Sequence, residues 1–160
     1  MRLSDITSAD LETVLALNEA SVPHVNSIDL DQMRWFASNA FYFRVARVDE
    51  KFAGFLIGLG PGLDYGSENY RWFCHHYGDF GYIDRVAVHK SARRLGVASR
   101  LYDDFADKLR GDADCMTCEV NIRPPNESSM LYHQTQGFVQ VATQETEGGT
   151  KKVALLEKKL

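Results

Sequence analysis

The sequence predicts an α/β fold: a mixed sheet of about seven strands with about four helices packed on its faces. Three observations predict it. Runs rich in branched and aromatic residues interleave with stretches of helical period, in the order β-α-α-β-β-β-α-β-α-β-β. From Val97 onward, Val97, Leu101, Phe105 and Leu109 recur every four positions while Arg100, Asp103, Asp104 and Asp107 fill the opposite face, which marks an amphipathic helix. The chain has 160 residues, 44% hydrophobic and 11% aromatic, with no internal repeat or Pro/Ser linker, so residues 1–160 read as one domain.

Each element follows in turn. Arg2-Leu3-Ser4-Asp5-Ile6 alternates as a short strand, and Thr7 or Ser8 then caps a helix carrying Leu11, Val14, Leu15, Leu17 and Ala20. Ser21-Val22-Pro23 ends it, and a second helix runs from Asp29 through Met33 and Phe36 to Asn39. Phe41 to Val48 and Phe52 to Gly60 form strands joined by a hairpin turn at Asp49-Glu50-Lys51. Residues 61–79 read as a long connection, with glycines at 62, 66 and 78 and with Tyr65, Tyr70, Trp72, Phe73, His75, His76 and Tyr77. Connections of that length are often functional. Gly81 to Val88 and Cys115 to Val120 are strands on either side of the Val97 helix. Asn126 caps a short helix that ends at Gly137, and Phe138 to Glu145 and Lys151 to Lys158 form a last hairpin around Glu147-Gly148-Gly149.

Composition excludes several functions. Eighteen basic against 22 acidic residues leave a formal charge of −4, which argues against a general nucleic-acid binder. The uncharged stretch from Ala53 to Leu63 is too short and too rich in glycine to span a bilayer, so no membrane partner is expected. Met1-Arg2-Leu3-Ser4-Asp5 has no apolar core and is not expected to be a signal peptide. Three cysteines suit a reducing compartment, and the expected setting is cytoplasmic. Cys115-Met116-Thr117-Cys118 has metal-ligand spacing, but in a strand its two thiols point to opposite faces, so no metal is expected.

The stretch with chemistry is Tyr82-Ile83-Asp84-Arg85-Val86-Ala87-Val88, then His89 to Ala92, then Arg93-Arg94-Leu95-Gly96-Val97-Ala98. A strand here runs into a loop that opens directly into a helix. The first turn of such a helix carries unsatisfied N–H groups at a positive dipole end. Gly96 and Ala98 are small enough for a phosphate to approach, and Arg93 and Arg94 supply charge. Neither a three-glycine dinucleotide fingerprint nor Gly-Lys-Ser/Thr is present. A tight turn with two solvated arginines is the other reading of the same residues.

A second segment adds to this one. Asn126-Glu127-Ser128-Ser129-Met130-Leu131-Tyr132, closing at Gly137-Phe138, follows the next strand. Together the two segments resemble the GNAT superfamily of N-acetyltransferases. Arg93-x-x-Gly96-x-Ala98 is similar to that family's pyrophosphate loop, and Asn126 through Tyr132 to Gly137-Phe138 to its second signature.

The resemblance implies a mostly antiparallel sheet with a splayed parallel strand pair, Tyr82–Val88 and Cys115–Val120, that forms a cleft for acetyl-CoA. Carried over, the backbone of Val86 and Val88 pairs with the pantetheine arm. The turn through Arg93, Arg94, Leu95, Gly96, Val97, Ala98 and Ser99 holds the pyrophosphate. Asn126 and Ser129 lie along the same cofactor, with Asn126 equally natural as a helix cap. Tyr132 is the candidate general acid for the departing CoA thiolate, since phenol and thiol pKa values near about 10 and 8.5 are close enough for proton transfer. A backbone N–H near Val86 or Ala87 would meet the oxyanion.

The acceptor implied is the primary amine of a small molecule, attacking directly in a ternary complex. Its proton needs a base, for which Asp84 and Glu119 are the candidates. Asp84 and Arg85 point to opposite faces of their strand and are not expected to pair. Acceptor contacts are expected from His24 and Asn26 between the first two helices and from Tyr65, Trp72, His75, His76 and Tyr77. A homodimer is compatible with the family's habits. Two alternatives stay open: a catalytically silent CoA-binding sensor or interaction module, and a transferase of another acyl group.

Overall fold

The computed structural model describes residues 1–160. Seven strands and five α-helices follow one another along the chain: β1 (Arg2–Asp5), α1 (Leu11–Glu19), α2 (Leu30–Asn39), β2 (Tyr42–Val48), β3 (Lys51–Leu59), α3 (Glu68–His76), β4 (Phe80–Val88), α4 (Val97–Leu109), β5 (Cys115–Arg123), α5 (Glu127–Thr135), β6 (Val139–Thr146) and β7 (Lys151–Lys159). The strands form one mixed sheet in the order β1-β2-β3-β4-β5-β7-β6. β1–β2, β2–β3, β5–β7 and β6–β7 pair antiparallel. β4 and β5 pair parallel, through Phe80 with Cys115, Gly81 with Met116 and Tyr82 with Thr117. By chain contacts the molecule divides into two compact units, Met1–Leu59 with Ile83–Lys108, and Gly60–Tyr82 with Leu109–Leu160.

In the first unit, local chemistry sets the element ends. The Asp10 carboxylate accepts from the Thr7 N–H at 3.1 Å and the Thr7 hydroxyl at 2.7 Å, which fixes the entry to α1. Burial pushes the Asp10 pKa up, but these bonds and the contact with Arg47 outweigh it and hold the carboxyl below its usual value. Asp29 caps α2 by accepting from the Gln32 N–H at 2.8 Å. Asp49 and Glu50 both take positive φ, the pair that a two-residue hairpin between right-twisted strands requires. Met33, Phe36, Phe55, Ile57, Leu101 and Phe105 make a fully buried core. β3 is close-packed because two of its residues lack side chains. A Cβ on Gly58 would lie 2.5 Å from the Phe105 ring, and one on Gly54 would lie 2.6 Å from the Ala87 carbonyl oxygen and 3.3 Å from Val97 Cγ1.

The second unit corrects one expectation. Residues 61–79 do not run as an open connection: Ser67 caps α3 by accepting from the Tyr70 N–H at 3.2 Å, and Tyr70 and Phe73, three residues apart, are fully buried. The sheet therefore carries five α-helices where about four were expected. The Tyr70 hydroxyl donates to the Gly60 carbonyl at 2.7 Å and accepts from the Leu63 N–H at 3.0 Å, so burial of this phenol leaves no polar atom unsatisfied. Asn69 and Gln144 join α3 to β6 at 2.9 Å. Cys115, Met116, Thr117 and Cys118 are all buried, so β5 is covered on both faces.

Candidate active site

In the first unit, β4 alternates buried and half-buried residues from Ile83, with Asp84, Val86 and Val88 on one side and Arg85 and Ala87 on the other. The His89 N–H donates to the Ala53 carbonyl at 2.8 Å, which ties the end of this strand to β3. A single 3-10 turn, Lys90–Ala92, buries Ala92 and leads into Arg93. Arg94 and Gly96 then take positive φ of 64° and 76° with Leu95 between them. Arg93, Arg94, Leu95 and Gly96 are exposed, while Val97 anchors the helix start in the core. Gly96 has no side chain to cap α4, and the first turn of that helix holds no acid. The positive end of the helix dipole and two arginines therefore meet at this junction. That combination suits a diphosphate.

The acid on this strand behaves otherwise than expected. Asp84 Oδ1 lies 3.0 Å from Arg85 Nε, with both side chains nearly buried, at 5% and 6% exposure. Adjacent strand residues start on opposite faces, but the arginine side chain is long enough to return to its neighbour. The approach is an ion pair without the alignment of a hydrogen bond. The Asp84 carboxylate therefore serves as the counter-ion of a buried guanidinium. His24 and Asn26 lie exposed in the turn after α1, and the Asn26 carbonyl accepts from Arg85 Nη1 at 2.7 Å.

In the second unit, the half-buried Glu119 on β5 accepts a 2.7 Å hydrogen bond from the Tyr82 hydroxyl. The Tyr82 ring is buried against Tyr70 and Phe73, so the donor is held in place. Sequence reasoning missed Tyr82; its two-residue offset from Asp84 on an alternating strand was the available signal. The Asn126 side chain accepts from the Ser129 N–H at 3.2 Å and the Ser128 hydroxyl at 3.2 Å, so its capping role is realised. Tyr132 sits half-buried on α5, edge-on to His133 at 5.5 Å. His133 Nδ1 pairs with the Ser129 carbonyl at 2.7 Å, and burial holds its pKa below the usual value. No three His, Cys, Asp or Glu residues gather in a way that could hold a metal ion.

Several residues expected to meet the acceptor are committed elsewhere. The Tyr77 hydroxyl donates to Glu157, which also pairs with Lys159 at 2.8 Å. Tyr65 packs edge-on against Tyr70. His75 and His76 each bind the carbonyl four residues back at 2.7 Å, and His76 stacks on Trp72 at 3.9 Å. Much of this aromatic set closes the unit's own core, leaving Trp72, His75 and His76 at its surface.

Comparison with known proteins gives a consistent answer. Residues 11–138 match the family described as "Acetyltransferase (GNAT) family". No curated protein matches the chain in sequence. Among solved structures, a ribosomal-protein-alanine N-acetyltransferase from Brucella melitensis is 20% identical with a TM-score of 0.74, covering 100% of both chains. Naa20 from Chaetomium thermophilum, in complex with a bisubstrate analogue, is 17% identical with a TM-score of 0.76, covering 100% of this chain and 87% of its own. A chain of the NatC complex bound to Gag peptide and CoA is 14% identical with a TM-score of 0.75, covering 99% and 98%. At such identities the likeness is one of fold.

Proposed function

The chain belongs to the GNAT acetyltransferase family and is an N-acetyltransferase, and on that premise we propose that residues 1–160 act as one domain moving an acetyl group to the primary amine of a small molecule. The observation that carries this reading is the β4–α4 junction, where left-handed Arg94 and Gly96 open onto an acid-free helix start beside two exposed arginines. Acetyl-CoA supplies the activated acyl group and its thiolate leaving group. The turn from Arg93 to Ser99 holds the diphosphate by backbone N–H groups, with the Arg93 and Arg94 side chains as counter-charge. The half-buried backbone of Val86 and Val88 offers pairing groups to the pantetheine arm, and an N–H near Val86 or Ala87 faces the developing oxyanion.

Glu119 is the base we favour, because Tyr82 orients it, whereas Asp84 is engaged with Arg85. An alkylammonium with a pKa near about 10 must lose its proton before attack, and a carboxylate acting through water can take it. Tyr132 protonates the leaving sulfur, with Asn126 and Ser129 fixing the start of its helix. Direct attack in a ternary complex is supported by the β5 thiols. Burial pushes the Cys115 thiol up to about 11 and holds the Cys118 thiol well above its usual value, so neither is a ready nucleophile. The cytoplasm is the setting that three free cysteines support.

The small-amine reading rests on the aromatic and weakly basic surface of Tyr65, Trp72 and His75 to Tyr77. A second reading, the α-amine of a polypeptide, is favoured by the similar structures, which include a ribosomal-protein acetyltransferase and a Gag-peptide complex. Initial rates with acetyl-CoA across alkylamines, polyamines, amino acids, aminoglycosides and short peptides separate the two. Preference for free amines supports the first, and activity confined to peptides replaces it with the second. CoA binding with no amine turned over by any acyl-CoA would overturn both and mark a sensing module. Turnover only with longer acyl-CoAs would change the donor.

A further inference from the structure

The strongest unassigned feature is a buried cation tied both to a buried helix residue and to the backbone of a turn. Arg85, 6% exposed, extends beneath the segment between α1 and α2 and places its guanidinium over the Phe36 ring at 5.3 Å. Its Nη1 donates to Asn18 Oδ1 at 2.9 Å and to the Asn26 carbonyl at 2.7 Å. Asn18, fully buried on α1, uses its Nδ2 on the same carbonyl at 3.2 Å and on Glu19 Oε1 at 2.9 Å. Glu19 in turn accepts from the Ser27 hydroxyl at 2.6 Å and the Ile28 N–H at 3.0 Å. Asp84 balances the charge from the strand side at 3.0 Å.

A continuous polar chain thus runs from Asp84 through Arg85, Asn18 and Glu19 to three consecutive residues of the turn. Burying a guanidinium is unfavourable unless it is paired and hydrogen-bonded, so the fold retains this group against a desolvation penalty. Packing alone would be served by a leucine at this position. The group is spent on holding Asn26, Ser27 and Ile28 at a fixed height above β4.

We propose that Arg85 is a positioning residue for the acceptor: it locks the turn bearing His24 and Asn26 onto the strand of Val86 and Val88, and so sets acceptor affinity without touching the acetyl donor. The inference rests on the reading above, that this turn meets the amine. Asp84 then acts as the counter-ion that keeps the guanidinium buried. Asn18 and Glu19 relay the hold to Ser27 and Ile28.

The test uses Arg85→Lys, Arg85→Met and Asn18→Ala in the full chain, with the primary amine turned over fastest in the panel. Lysine keeps the charge but cannot make the two Nη1 bonds together with the Nε contact. The expected result is a KM for the amine raised about 10- to 100-fold, the range for losing a charge-assisted hydrogen bond. With it, kcat should change little, calorimetric affinity for CoA should hold, and hydrogen exchange at Ile28 should accelerate. Unchanged KM in all three variants overturns the proposal, as does a parallel loss of CoA affinity, which would reveal a general structural role. Slow exchange at Ile28 in Arg85→Met also overturns it, with no acceptor needed. A His24→Ala/Asn26→Ala double variant separates the two claims. If it leaves KM untouched, the turn is not the acceptor site and the underlying reading falls; if it raises KM while the Arg85 variants do not, only the positioning role is lost.

Discussion

Two strand-to-helix junctions in this molecule solve the same local problem in opposite ways. Between β5 and α5 the chain caps itself: the Asn126 N–H donates to the Asn121 carbonyl at 2.9 Å, the Asn126 side chain takes the Ser129 N–H, and Glu127 places an acid in the first turn. Between β4 and α4 the residue before the helix is glycine, which has no side chain to cap it, and no acid stands in the first turn. A helix start already satisfied by its own side chain and shielded by a carboxylate has little left to offer an anion. A helix start without such an acid, and with arginines beside it, can accept an anionic ligand. On the function proposed here, the β4–α4 junction would serve binding, and the β5–α5 junction would support the side chain of Tyr132.

The largest expected effect sharpens that division. Tyr132→Phe should lower kcat by about 10²- to 10⁴-fold, the usual range for losing a general acid, while calorimetric CoA affinity stays put. Equal losses in both would place Tyr132 in binding and blur the contrast. Next, Ala98→Glu gives α4 the first-turn acid that α5 already has. CoA affinity should fall at least about tenfold, more steeply at low salt, because a like charge then faces the diphosphate at close range. Unchanged affinity would break the comparison outright.

Smaller effects belong to the capped junction. Asn126→Ala should cost about 1 kcal/mol of stability, seen as a drop of about 2–4 °C in Tm. The smallest is a slope with pH. His133 is held neutral by burial, with its pKa below the ordinary 6.5. As pH falls below 6.5 the unfolded chain takes up a proton that the folded chain resists, so stability present above that value declines down to the depressed folded pKa. Denaturant midpoints between pH 7.5 and 5 should lose that slope in His133→Gln; a persistent slope would assign it to other groups.

Most strands and four of the helices were legible because their burial is simple. Val97, Leu101, Phe105 and Leu109 are all buried as their spacing announces, and Asn126 caps α5 as its residue type suggests. α3 was not legible, because Glu68-Asn69-Tyr70-Arg71-Trp72-Phe73 is rich in aromatics, which are weak helix formers, and lies among glycines. Ser67 followed by Tyr70 and Phe73 was the signal available. The turn from Arg93 into α4 was readable as a strand-to-helix junction since it depends on consecutive residues. The Tyr82–Glu119 and Arg85–Asn18 pairs were not, since they join residues 37 and 67 positions apart, and spacing along one strand names no partner on another element.

Gly54 and Gly58 on β3 carry a consequence for how the enzyme can vary. Because α4 and β4 rest directly on those two bare positions, any substituent there would act as a shim, tilting the junction proposed to receive the diphosphate while leaving its own residues intact. Such a variant would keep its whole signature in the sequence and still bind nucleotide poorly.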